Sequence, residues 1–313
     1  MQESLKEPLL PDQIVVGGGE PGTYVGTPVL DYVKPHQLVE TMLESGAAKG
    51  ELAPGKILVR GMLGGAFLAY GTAMAAFGTA QGMIPILSAL LFPTGFIIIN
   101  ILQLDLATGY FCYVPLALAE GRTTFAKMTY AISTVYVANL LGSLVVAFLL
   151  WAALTTFGQT PDTTIPTDPV THAPIPGGKG ISTVLSAIAI SKTNHYVPFG
   201  IYGQLTAFVK GILCNWFVTL GVILPMTTRS AFGKALLTFV PIYMFFCMGW
   251  EHLIVNMFVI PSAMLYGAPI TAGTWWLWNE LPVTIGNFFG GYFFTALAIG
   301  WIYRTRRLST LTA

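Results

Sequence analysis

Asp105-Leu106-Ala107-Thr108-Gly109-Tyr110 stands five residues ahead of Pro115, and Glu251-His252-Leu253-Ile254-Val255-Asn256 stands five residues ahead of Pro261. Each stretch places a carboxylate inside a long apolar run, and the two lie 146 residues apart. Thr108-Gly109 lowers helix propensity between two apolar half-segments, so the run is expected to break there. A break frees backbone amides, and the N-terminus of a half-helix is partially positive, which suits an anion.

The surroundings say what kind of run this is. Of 313 residues only 9% are charged and 54% are apolar; a soluble domain carries about 25% charge. No Asp, Glu, Lys or Arg occurs in 61–104, 128–161, 211–228 or 281–303. A helix needs about 20 apolar residues to cross a bilayer, so the chain reads as an all-α, multi-pass membrane protein. That composition argues against a soluble enzyme, and a net charge of +1 gives no sign of nucleic acid. Cys112, Cys214 and Cys247 lie in apolar stretches and read as small core residues. The apolar units hold one His and two acids, which is no metal set, and no cofactor motif stands in a fitting context.

Six hydrophobic units follow, at about 57–80, 84–118, 127–157, 204–226, 236–266 and 281–303. Residues 1–27 read as a flexible tail, 28–50 as an amphipathic interfacial helix, 51–305 as one channel domain and 306–313 as a second tail. The polar segment 158–200 contains a short apolar piece, 181–190, that reads as an interfacial turn of helix. With six crossings, twelve of the fifteen basic residues fall on one face; only Lys179, Lys192 and Lys210 fall on the other. Both termini are therefore expected in the cytoplasm.

The halves match in order. Arg60-Gly61-Met62-Leu63 parallels Lys210-Gly211-Ile212-Leu213, and Asn139-Leu140-Leu141-Gly142 parallels Asn287-Phe288-Phe289-Gly290. Three crossings per repeat make the halves, about 57–157 and 204–303, insert upside down, with units two and five broken. Among acids, bases and histidines, only Asp105, Glu251 and His252 then remain in the apolar interior. A midplane ionisable group reads as functional, and the plainer alternative for His252 is a neutral ring held by a backbone carbonyl. Asp105 and Glu251 read as caps of the half-helices. Asn139, Asn215, Asn256 and Asn287 read either as braces for frayed backbone or as pore lining.

Together, Arg60-Gly-Met-Leu-Gly-Gly-Ala-Phe, Asp105-Leu-Ala-Thr-Gly, Lys210-Gly-Ile-Leu-Cys-Asn215-Trp, Glu251-His252-x-x-x-Asn256-Met-Phe and Leu281-Pro-Val-Thr-Ile-Gly-Asn287 resemble the formate/nitrite transporter family, over about residues 28–303. The resemblance implies an aquaporin-like homopentamer in the cell membrane, plasma or inner. Each protomer would hold a pore for small monovalent anions, formate or nitrite, with proton coupling at His252. It puts the outer constriction at Phe92, Val218 and Phe245, and the cytoplasmic one at Phe96, Leu106 and Ala107. His252 and Thr108 would face the chamber, beside Asn215 and Asn287, with Asp105, Glu251, Asn256 and Asn139 supporting the breaks. Lys192 is the candidate vestibule lysine, although the usual position counts to Phe199. Ala107 stands where the family usually has Phe, which opens larger monocarboxylates such as acetate or lactate; a neutral-solute channel is the alternative of a different class.

Overall fold

The computed structural model describes residues 31–168, 170–171, 173 and 178–303. The expected tails, 1–27 and 306–313, lie outside the described residues. Every regular element is helical: α1 Pro35–Gly50, α2 Pro54–Ala80, α3 Pro93–Ile101, α4 Ala107–Ala119, α5 Phe125–Thr155, α6 Ile181–Lys192, α7 Ile201–Ile223, α8 Ala231–Cys247, α9 Leu253–Leu265 and α10 Ala272–Tyr303, with a single turn Pro85–Ser88 ahead of α3. Prolines open α1, α2 and α3, where the missing N–H would have had no helical partner. Four of these segments are long and apolar enough to cross a membrane: Pro54–Ala80, Phe125–Thr155, Ile201–Thr227 and Ala272–Tyr303. α10 accommodates its length with two stretches of wider, i→i+5 turns, Trp276–Glu280 and Gly290–Leu297.

The other apolar segments are shorter. α3 and α4 are separated by residues 102–106, and α8 and α9 by residues 248–252. In each gap one residue turns left-handed: Gln103 at φ 54° and Gly249 at φ 65°. Glycine adopts that backbone without a Cβ clash, whereas Gln103 has its carbonyl held by Arg60 Nη2. Pro115 and Pro261 sit inside α4 and α9, not at their ends, and the helices run on to Ala119 and Leu265.

Close helix contact explains the matched glycines. α2 packs along α5, and α7 along α10. Gly142 lies against the Met62 carbonyl and Gly290 against that of Ile212, so close that a Cβ at either would strike backbone. Small residues are what let apolar helices approach in this way.

Two peripheral helices differ from expectation. α1 starts at Pro35, and Val33 is extended, donating its N–H to Thr227 O at 2.8 Å. The apolar face of α1, Leu38, Val39, Met42 and Leu43, is buried, and the helix packs on α4. The 181–190 piece is part of the twelve-residue α6, whose Ile181, Val184, Leu185 and Ala189 bury against α2 and α9.

Asp162 staples the start of α6. Its carboxylate accepts from Ser182 N at 2.8 Å and from Thr164 N and Oγ1 at 2.9 and 2.7 Å; Thr164 Oγ1 accepts from Ile181 N at 2.8 Å. Burial pushes the Asp162 carboxyl up, but the hydrogen bonds from Ser182 and Thr164 outweigh it and hold the group below the usual carboxylate range. A depressed folded value means that the stabilisation is present above the unfolded value, about 3.9, and is lost as pH falls through the folded one. Asp162→Ala is expected to cost about 1 kcal/mol, as for a lost helix cap. It should also flatten the pH dependence of amide exchange at Ile181–Val184 below about pH 4. A wild-type exchange profile in the variant would refute the staple.

Candidate functional site

Two asparagines hold the gaps. Asn139 Oδ1 accepts from Ala107 N at 2.8 Å, while its Nδ2 donates to Gly61 O at 2.8 Å and Asp105 O at 2.9 Å. Asn287 Oδ1 accepts from Leu253 N at 2.9 Å, and its Nδ2 donates to Gly211 O and Glu251 O, both at 2.9 Å. Each amide closes the first turn of α4 or α9 and ties it to the long helix beside it. A carboxamide suits this because it carries donors and an acceptor on one rigid group. Asn287, expected beside the chamber, makes all three of these contacts to backbone and is a brace.

The carboxylates do not cap. Asp105 takes Lys49 Nζ at 2.5 Å and Arg60 Nε at 2.7 Å. Glu251 takes Lys192 Nζ at 2.9 Å and Tyr196 OH at 2.8 Å, with Asn256 Nδ2 at 2.8 Å and Asn279 Nδ2 at 3.1 Å. Both acids are buried, and a buried carboxylate needs a cation more than it needs an amide N–H. Their main-chain carbonyls take the asparagine Nδ2 groups, so the acids support the gaps through backbone while their charges face elsewhere. Lys192, the last residue of α6, is 8% exposed and reaches Glu251 from a register that counting from Asn215 does not suggest.

His252 is the residue that caps α9. Its Nδ1 accepts from Ile254 N at 3.1 Å and Val255 N at 3.2 Å. The freed amides expected at this gap are thus taken by Asn287 and His252. An acceptor Nδ1 leaves Nε2 to carry the proton of the neutral ring, and Nε2 is buried without a partner. Thr108 Oγ1 and Asn215 Oδ1 are buried and unpartnered too, and Asn215 Nδ2 links to Thr108 O at 3.1 Å and Asn287 O at 2.7 Å. Of these groups, His252 lies against aromatic rings. Phe245 stacks on His252 at 5.4 Å between centroids, Phe92 meets Phe245 edge-on at 5.6 Å, and Phe246 stacks on Phe92 at 3.9 Å. Val218, Phe96, Leu106 and Ala107 are buried as well, with Leu106 packed against Gly64 of α2.

Two cavities approach this region. One, of about 490 Å³, is lined by Lys49, Arg60, Arg229 and Lys234 with Asp105. The other, of about 420 Å³, holds Lys192 and Lys210 with Glu251, and Phe245 at its wall. The first touches α2 at Arg60 and the second at Thr72–Thr79, about 18–28 Å further along the helix at 1.5 Å per residue. Cations outnumber carboxylates among the described lining residues of both.

Residues 36–301 match the model of a family described as formate/nitrite transporter. The chain belongs to the formate/nitrite transporter family. Members of this family are channels and transporters and not enzymes, and the chain is accordingly a multi-pass membrane transport protein. It is 30% identical over 265 residues to a probable formate transporter of Methanothermobacter thermautotrophicus, covering 81% of this chain and 91% of that one. To the formate channel FocA of Escherichia coli (strain K12) it is 27% identical over 300 residues, covering 87% and 95%. Among solved structures, an FNT family ion channel superposes with TM-score 0.68 at 21% identity, over 86% of this chain and 99% of that one. A pentameric formate channel with formate bound gives 0.62 at 23%, over 81% and 98%. The fold of this formate/nitrite transporter family member is thus that of known channels.

Two interior groups went unnoticed in the sequence. Glu280 is 0% exposed, held by Trp275 Nε1 at 2.9 Å and Tyr136 OH at 3.1 Å. It was missed because the last apolar unit reads from 281, whereas α10 starts a turn and more earlier. Tyr196 lies in a polar loop with no periodic signal, yet its hydroxyl enters the Glu251 cluster. Asp105, Glu251 and His252 are therefore not alone in the interior: Glu280 and Lys192 join them.

Proposed function

We propose that this chain is a pH-dependent channel for small monovalent anions, formate or nitrite, that pass the apolar barrier in protonated form. The observation that carries this reading is the alternation along α2: a basic cavity, a buried aromatic and aliphatic barrier with three unpartnered polar atoms, and a second basic cavity. Basic cavities gather anions. A bare anion in the barrier costs several kcal/mol or more, at least about 2, and protonation removes most of that cost. The names of the relatives point to the same cargo.

The ring of His252 takes a defined part. With Nδ1 occupied by two backbone N–H groups, the neutral ring offers Nε2–H as a donor. Giving that proton away would leave an imidazolate, and loading Nδ1 would break the cap of α9. His252 therefore holds an oxygen of the arriving anion through a hydrogen bond while water on the cavity side supplies the proton. Thr108 Oγ1 and Asn215 Oδ1 complete the polar contacts. Phe92, Val218 and Phe245 form one constriction; Phe96, Leu106 and Ala107 form the other.

In this reading α3 with α4, and α8 with α9, each make one interrupted crossing. Six crossings in two inverted repeats then place both termini in the cytoplasm, and five copies assemble in the cell membrane, each with its own pore. His252→Phe keeps an aromatic ring but removes both nitrogens. Uptake of formate and nitrite into proteoliposomes at two pH values is expected to fall at least about tenfold, the equivalent of one charged hydrogen bond. Unchanged rates with an unchanged pH profile would reject the role. Acetate and lactate in the same panel test the space left at Ala107: if only the smallest anions enter, Phe96 fills that space.

A further inference from the structure

The two ends of the molecule use matched cations differently. Arg60 and Lys210 stand at corresponding places in the two repeats, just ahead of Gly61 and Gly211. Arg60 contacts its carboxylate directly, Nε to Asp105 Oδ2 at 2.7 Å. Lys210 does not reach Glu251. The phenol of Tyr196 stands between them, donating to Glu251 Oε1 at 2.8 Å and accepting from Lys210 Nζ at 3.2 Å. The same ammonium lies over the Tyr196 ring, 5.4 Å from its centroid. Glu251 has its cation in Lys192 already. Among the described residues Lys210 makes no ion pair, so its positive charge stays open in the cavity that Lys192 and Glu251 also line.

We propose that Lys210 is an anion-docking residue in the α6-side cavity, and that Tyr196 keeps its charge available by taking the place beside Glu251 that Arg60 takes beside Asp105. The ligand is a small monocarboxylate, held by one charge-assisted hydrogen bond and released to the barrier. A half-buried ammonium with a phenol below it is well placed for this. It is partly desolvated, it is oriented by the aromatic face, and among the described residues no carboxylate pairs with it directly, since the Tyr196 hydroxyl stands between it and Glu251. The inference rests on the reading of this cavity as an anion path.

The consequence is one-sided. Lys210→Gln is expected to raise the half-saturating concentration of formate about threefold to tenfold for entry from the α6 side, with the maximal rate and entry from the other side unchanged. Right-side-out and inside-out vesicles with radiolabelled formate separate the two directions. Lys210→Arg should resemble the wild type. Tyr196→Phe removes the intervening hydroxyl, lets Lys210 turn to Glu251 and should weaken entry from the same side. Added inert salt should narrow the difference between wild type and Lys210→Gln, because the group is half-exposed. Equal half-saturation in Lys210→Gln and wild type, or an equal rise in both vesicle orientations, would overturn the proposal. Line broadening of carbon-13 formate by the solubilised protein decides it independently of flux. If vesicles carry no formate but Lys210→Gln reduces the broadening, the transport reading fails and the docking residue stands. If vesicles carry formate and the broadening is unchanged, the reverse holds.

Discussion

Lys192→Met is expected to destabilise the folded protein by about 3–5 kcal/mol, whereas Lys192→Met combined with Glu251→Gln should recover most of the loss. The single change leaves Glu251 buried with its charge and no cation. Tyr196, Asn256 and Asn279 still donate to it, but neutral donors offset only part of the desolvation of a carboxylate. The double change removes both charges. Gln keeps an oxygen to accept from Tyr196 or Asn256, and Met fills the volume of the lysine stem. Urea unfolding of the purified protein, followed by tryptophan fluorescence, measures both variants. If the single variant matches the wild type, the pair is not buried together. If the double variant is no better than the single one, Lys192 acts through packing and not through charge.

Asn287→Ala should be almost as costly. It strips a donor from the carbonyls of Gly211 and Glu251 and an acceptor from the Leu253 N–H, three buried groups at about 1–3 kcal/mol each. Partial relaxation brings the expected total to about 3–5 kcal/mol. Amide exchange should accelerate at Leu253 and its neighbours in α9 and leave α4 unaffected. Asn139→Ala should do the opposite, accelerating exchange at Ala107 because that amide depends on Asn139 Oδ1. Asn287→Asp keeps an acceptor for Leu253 but turns a carboxylate oxygen on the carbonyls of Gly211 and Glu251 and buries an unpaired charge, so it should cost at least as much as Ala. A loss within about 0.5 kcal/mol for Asn287→Ala, as for an ordinary surface change, would reject the bracing role.

The repeat is what made the site legible. Asp105 with Glu251, Pro115 with Pro261 and Asn139 with Asn287 were found by spacing alone. The structure adds Gln103 with Gly249 and Gly121 with Gly267, all four left-handed, at the same 146-residue offset. The matched glycines were visible as letters, and their purpose became visible only once Gly142 and Gly290 met the backbone of a neighbouring helix. The assignment of Asp105 and Glu251 as caps failed for an identifiable reason. Sequence distance put each acid next to a helix start, but cations from distant segments, Lys49 and Lys192, were closer in space and electrostatically stronger. His252 is the converse case. It was singled out for its charge chemistry, and its Nδ1 proves to be a helix cap, which in the neutral ring puts the proton on the unpartnered Nε2.

By itself the sequence determined a membrane-spanning, all-helical chain. It also showed matched residue pairs at a near-constant offset in its two halves and the places where polarity enters the apolar interior. Those properties follow from composition and period, which are local and additive along the chain. Only the tertiary structure decided which partner each polar group takes. Asn139 and Asn287 close the first turns of α4 and α9, Lys49 and Arg60 answer Asp105, Lys192 answers Glu251, and Tyr196 stands between Lys210 and Glu251. In a low-dielectric interior the nearest charge or donor wins, and nearness there is fixed by helix packing between residues 14 to 59 positions apart in the chain.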